Sequence, residues 1–138
     1  MRYPVELMAD DDTVLVTSPD FPKMHTFGDD EADALAHAVP AMETAIQGRI
    51  IDREPIPDPG PIGGHSIILP VQTALKVELY RIMLVEGLGN DDLARRLGWS
   101  SPQVDRLLDV RDVARLDQME TAFRTLGREV EFEIKTAA

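Results

Sequence analysis

The sequence predicts an α+β fold in two modules, and three observations carry that prediction. Apolar and polar residues alternate with a period of two along the first 28 residues, and SIIL at 66–69 reads as one more strand. From residue 71 to near the end the apolar spacing becomes helical. The charge is also uneven. Residues 1–70 carry 13 acidic and 4 basic side chains, a net of −9, whereas residues 71–138 carry 12 and 10, a net of −2. An acidic half (1–70) joined to a near-neutral half (71–138) points to modules with different partners.

Each element of the first module has a local cause. Tyr3, Val5 and Leu7 alternate with polar partners as a first strand. Asp10-Asp11-Asp12 breaks it as a turn; Val14 to Val16 resume, and Ser18-Pro19-Asp20 with Pro22 ends the second strand. A third extended piece runs from Met24 to Phe27 and stops at Gly28. Asp29-Asp30-Glu31 is a helix N-terminus, because carboxylates accept from the free N–H groups there and suit the dipole. Leu35, Val39, Met42, Ile46 and Ile50 then form one apolar stripe. Pro40 lies inside it and predicts a kink rather than a break, since the stripe continues in phase. Residues 52–64, rich in proline and glycine, read as an extended loop before the fourth strand.

The second module reads as four helices and a last strand. Leu75, Leu79, Ile82 and Met83 line the first helix, which Gly87 ends. Asn90 with Asp91 and Asp92 starts the second, and Ser101-Pro102 the third, with serine as cap and proline where its missing N–H costs nothing. Leu116, Met119, Phe123 and Leu126 mark the fourth, ended by Gly127. Val130, Phe132 and Ile134 then alternate with Glu129, Glu131, Glu133 and Lys135.

Composition excludes several functions. Seven aromatic residues (one Trp, two Tyr, four Phe) leave the core to Leu, Val, Ile and Met. The absence of cysteine rules out disulfides and thiolate metal sites. MRYPVELMADDD lacks the apolar run of about 7–15 residues of a signal peptide, and no stretch has the length of a membrane span, so a cytoplasmic protein without membrane contact is expected. The Asp10–Asp12 run lacks the closing glutamate of a calcium loop. His25, His37 and His65 are scattered, without ligand spacing. No Ser–His–Asp or phosphate-loop pattern appears. No enzyme, metal or cofactor is expected.

The most informative stretch is LARRLGWSSPQVDRLL, residues 93–108. Ala94 is small enough for close helix packing, Gly98 can take a positive φ, and Val104 returns an apolar side chain to the core beside Leu93, Leu97, Leu107 and Leu108. That is the spacing of a helix-turn-helix, whose second helix enters the major groove. Ser100, Ser101, Gln103 and Arg106 are the expected base-facing positions, with Arg95 and Arg96 reaching phosphates. Asp105, Asp109 and Asp112 lie close by and would weaken a monomer's grip.

YPVEL, TVLVTSPDFP, TFGDDEADAL, LPVQTALKVELY, LARRLGWSSPQVDRLLD and LDQMETAFRTLG, in this order, resemble HicB-type antitoxins of bacterial type II toxin–antitoxin systems. The match is to the branch with a helix-turn-helix C-terminus rather than a ribbon-helix-helix, and it covers nearly the whole chain. Pro40 departs from the unbroken helix expected there. The resemblance implies an N-terminal partial ribonuclease-H-like module of three strands, a helix and a strand. That module would bind and block a small HicA-like ribonuclease toxin. Asp20, Asp29 and Glu43 are available as carboxylates, but in a module this acidic their presence shows nothing, and the resemblance implies a degenerate, non-catalytic version of the fold. The C-terminal domain is implied to bind the operator of its own operon. No motif marks which of residues 1–70 would touch the toxin.

The orphan last strand predicts assembly. Alone it leaves backbone groups unpaired and an apolar face uncovered, and the same strand from a second chain is the simplest remedy. A homodimer through residues 127–135, sharing Val130, Phe132 and Ile134, would space two recognition helices for a palindromic operator and could assemble further into even-numbered oligomers. The alternative function is a stand-alone transcription factor whose first module senses a small molecule. A short basic protein encoded in the adjacent frame would separate the two.

Overall fold

Three strands, one long helix and a fourth strand fill the first half of the chain in the computed structural model, which describes residues 1–137. They are β1 (Arg2–Asp10), β2 (Thr13–Thr17), β3 (His25–Gly28), α1 (Glu31–Ile51) and β4 (His65–Ile68). Four helices follow: α2 (Val71–Glu86), α3 (Asn90–Leu97), α4 (Ser101–Leu108) and α5 (Leu116–Thr125). The fold is therefore mixed α+β. Ala138, the last residue assigned to the second module, lies outside the described residues.

The strands form one antiparallel sheet in the order β3-β2-β1-β4. The β1–β2 turn places Asp11 at φ 53°, a conformation aspartate tolerates better than most residues, and Thr13 Oγ1 donates to Asp10 O at 2.8 Å. Tyr3, Val5, Val16 and Ile67 face inward and are buried. Gly28 ends β3 where α1 passes so close that a Cβ would lie 2.1 Å from the Ala34 nitrogen. Glycine is required there by space alone.

Helix α1 starts as expected: Asp30 Oδ1 accepts from Asp33 N–H, and Asp33 Oδ2 accepts from Asp29 N–H, both at 2.8 Å. It runs unbroken through Pro40. Its buried face differs from the predicted stripe. Ala34 and Ala38 are fully buried with Met42, Ile46 and Ile50, while Leu35 and Val39 are only half-buried. The helix turns its small side chains to the sheet because close approach leaves no room for large ones.

Residues 54–63 contain no regular structure, yet the 52–64 segment is fastened down. Tyr3 OH donates to Pro57 O at 2.7 Å, Tyr80 OH to Glu54 O at 2.7 Å, and Gly60 N–H to Asp20 Oδ1 at 3.1 Å. Ile56 is buried beneath them. One continuous core then runs from Tyr3 to Leu126.

Three predicted details of the second half are corrected. Ser100, not Ser101, caps α4, whereas α3 begins at Asn90 as expected, with Gly89 before it as the cap. Leu116 is 58% exposed; α5 buries Met119, Ala122 and Phe123, with Leu126 just beyond it. The final strand does not form within the chain. Residues 128–137 join no ladder among the described residues; Val130 is half-buried, but Phe132 and Ile134 are 85% and 86% exposed. A strand exists only with a hydrogen-bonding partner, and the described residues supply none there.

Candidate nucleic-acid interface

The site is built on α3, the turn 98–100 and α4. Leu93 and Ala94 of α3 and Val104, Leu107 and Leu108 of α4 are buried, so the two eight-residue helices pack through those faces. Gly98 sits at φ 70°, and Trp99 N–H donates to Ala94 O at 2.9 Å, which closes α3 and redirects the chain. On α4 the exposed residues are Pro102, Gln103, Asp105 and Arg106.

The predicted contact residues differ in how free they are. Ser100 and Gln103 form a capping box: Gln103 Oε1 accepts from Ser100 N–H at 2.9 Å, and Ser100 Oγ accepts from Gln103 N–H at 3.4 Å. Ser101 Oγ donates to Asp91 Oδ1 at 2.5 Å. Arg95 is ion-paired with Asp92. Arg96 and Arg106 are exposed and have no carboxylate partner among the described residues. Arg106 borders a groove of about 400 Å³ between α4 and the start of α5, opposite Arg115 and the 89%-exposed Val113.

Behind α4, a strap of residues 109–114 is held by three polar side chains that the sequence did not single out. Gln47 of α1 accepts from Val110 N–H at 2.8 Å. Gln72 of α2 pairs with both backbone groups of Ala114, at 2.9 and 3.1 Å. Lys76, 1% exposed, donates to Asp109 O and, at 2.6 Å, to Asp112 O. Burial pushes the Lys76 ammonium below its usual pKa, against the opposing pull of Asp112, Asp109 and Glu43. The side-chain bond from Arg111 holds the Asp109 carboxyl below the usual carboxylate range. Lysine and glutamine at buried helical spacing are read as solvated by any polarity pattern, so only the fold reveals them.

The other candidates do not gather. Asp20 holds Gly60, Asp29 precedes the α1 cap, and Glu43 accepts from Thr73 Oγ1. His37 lies against Phe27 O and Asp33, His65 against Glu31, and His25 is exposed on β3. Among the described residues no three His, Asp or Glu side chains are grouped to hold a metal, and no helix is long and apolar enough to cross a membrane.

Residues 2–78, spanning the whole sheet, α1 and half of α2, match the family described as "HicB_like antitoxin of bacterial toxin-antitoxin system". The chain belongs to the HicB-like antitoxins. Relatives named as antitoxins extend the similarity of this antitoxin through α3, α4 and α5. Antitoxin HicB of Pseudomonas fluorescens (strain Pf0-1) is 36% identical over 139 residues, covering 99% of this chain and 95% of that protein. Antitoxin HicB 2 of Photorhabdus laumondii is 34% identical, covering 95% and 94%. Antitoxin HicB of Escherichia coli (strain K12) is 33% identical, covering 94% and 96%.

Proposed function

We propose that this antitoxin is a non-enzymatic, cytoplasmic protein with two binding activities. Residues 1–70, read as a degenerate ribonuclease-H-like module, bind and occlude a small HicA-like mRNA-cleaving toxin. Residues 71–138 act as a helix-turn-helix domain that binds the palindromic operator of its own operon. The observation that carries the second activity is the exposed face of α4, where Arg106 stands without a carboxylate partner among the described residues, with Arg96 equally unpaired on α3.

In this reading Arg106 reads a base edge and Arg96 is the stronger phosphate contact, since Asp92 already offsets the Arg95 charge. Gln103 Oε1 is engaged in its cap, so its Nε2 donates to a base acceptor instead of making the bidentate contact to adenine. Asp105, Asp109 and Asp112 oppose phosphate, so the affinity comes from two domains acting together. A homodimer through residues 127–135, seamed by Val130, Phe132 and Ile134, places two recognition helices about 34 Å apart.

Operator titrations of the full chain test this. Arg106→Ala is expected to relax preference at one base position at a cost of about 1–3 kcal/mol. Arg96→Ala should weaken binding evenly across sequences and lower the salt slope by about one. A double Gln103→Ala, Arg106→Ala protein that kept both affinity and preference would refute the assignment of α4.

A further inference from the structure

Helix α1 covers the sheet on the face of Tyr3, Val5, Val16 and Ile67, and the opposite face is apolar at its centre. The strand register sets Met8 of β1 opposite Leu15 of β2, and Leu15 opposite Phe27 of β3. These three side chains form one row across three strands. Met8 is 65% exposed and Phe27 45%, with Leu15 between them partly exposed. A soluble sheet normally fills such positions with polar residues, and an apolar row on its solvent side marks a contact surface.

The surroundings of the row are acidic. Glu6 lies in the next row beside Thr17 and His25, Asp10 follows Met8 on the same side of β1, and Asp11 and Asp12 form the adjoining turn. None of these four carboxylates has an ion-pair partner among the described residues. An apolar centre inside a charged rim is the anatomy of a protein–protein interface.

We propose that this outer sheet face is where the toxin docks, its RNA-binding cations against Glu6 and Asp10–Asp12 and an apolar patch against Met8, Leu15 and Phe27. The proposal rests on the reading of residues 1–70 as the toxin-binding half. Charge selects this occupant over a second copy of the chain, which would bring four identical carboxylates to the same rim. The chain's own tail does not cover the row, since residues 131–137 are all exposed. A protein that cleaves RNA must hold phosphates with Lys and Arg. Carboxylates that engage those cations remove the toxin's hold on RNA in the same step. Neutralisation is then competition for one set of positive charges.

The experiment uses the full-length antitoxin and a catalytically inactive form of the toxin encoded beside it. Met8→Arg with Phe27→Arg alters two exposed side chains and should leave thermal unfolding and operator binding unchanged. Toxin affinity should fall about 100-fold, as expected for losing two central contacts to like charge. Replacing Asp10, Asp11 and Asp12 with Asn should slow association at low salt and flatten its salt dependence. A labelled Met8 methyl resonance in the wild-type chain should shift on toxin addition, which reads the contact without any substitution. Unchanged affinity in the double variant, or an unmoved Met8 methyl in a wild-type chain that binds the toxin, overturns the proposal. A variant that changes only the oligomeric mass also overturns it and assigns the face to a second copy. A wild-type chain that binds no toxin refutes the reading of residues 1–70 itself, which is a distinct result.

Discussion

Lys76 shows what one buried charge can organise. Its ammonium is the shared donor to Asp109 O and Asp112 O, and through them it holds the strap behind α4. Lys76→Met keeps the stem volume but leaves two carbonyls without that donor. The expected loss is about 2–4 kcal/mol, from hydrogen bonds to a charged group and the desolvation of their acceptors. The pH dependence carries a second signature. Burial lowers the Lys76 pKa below its usual 10.5, so between the folded and unfolded values the unfolded chain binds more protons and stability rises with pH. Tyr3 and Tyr80 act oppositely: burial raises both, so above 10.0 the folded state keeps protons that the unfolded state releases, and stability falls. Urea unfolding from neutral pH up to 10 should therefore show wild-type stability rising relative to Lys76→Met. Parallel curves would mean that the lysine is not held charged against desolvation.

Two glycines at element ends separate backbone strain from steric exclusion. Gly98, between α3 and α4, has φ 70°, but nothing lies within 4 Å of where a Cβ would sit. Gly98→Ala should then cost only the left-handed conformation, about 1–2 kcal/mol by urea midpoint, with the fold retained. Gly28, at the end of β3, has no positive φ, yet its Cβ would overlap the Ala34 backbone at 2.1 and 2.5 Å. Gly28→Ala must push α1 off the sheet and should yield insoluble or unfolded protein. Equal, mild losses at the two sites would show that α1 can move away from β3 at little cost. The sequence shows Gly28 as a strand stop and Gly98 as a positive-φ turn, but only the structure shows that space excludes a side chain at Gly28.

At the scale of the molecule, the sheet half and the helical half are not beads on a linker. Gln47 of α1 reaches Val110, Arg53 donates to Leu88 O at 2.8 Å, and Arg81 of α2 donates to Pro57 O at 3.0 Å. The Gln47 bond ties α1 directly to the strap behind α4. The tail is the opposite case, with Phe132 and Ile134 exposed and fastened to nothing among the described residues. With the proposed seam removed, deleting residues 129–138 should give a monomer in light scattering and reduce operator affinity sharply, because one domain must then bind alone. A shortened chain that stays dimeric with full affinity would place the interface elsewhere.

The sequence by itself determined the order of elements, the turns at Asp11, Gly87, Gly98 and Gly127, the cap at Asp30 and the position of the α3–α4 pair. Each of these is set by residues within a few positions of one another, through φ preferences, capping and local periodicity. Tertiary structure alone decided that Ala34 and Ala38 are fully buried while Leu35 and Val39 are only half-buried, and that Gln47, Gln72 and Lys76 anchor the 109–114 strap. It also decided that Met8, Leu15 and Phe27 align across three strands. Most of these depend on groups distant in sequence, such as the 63 positions separating Gln47 from Val110, and their energy exists only after the chain has closed. The tail marks the boundary of both: its alternation is written in the sequence, but a strand forms only when a partner supplies the other half of the ladder.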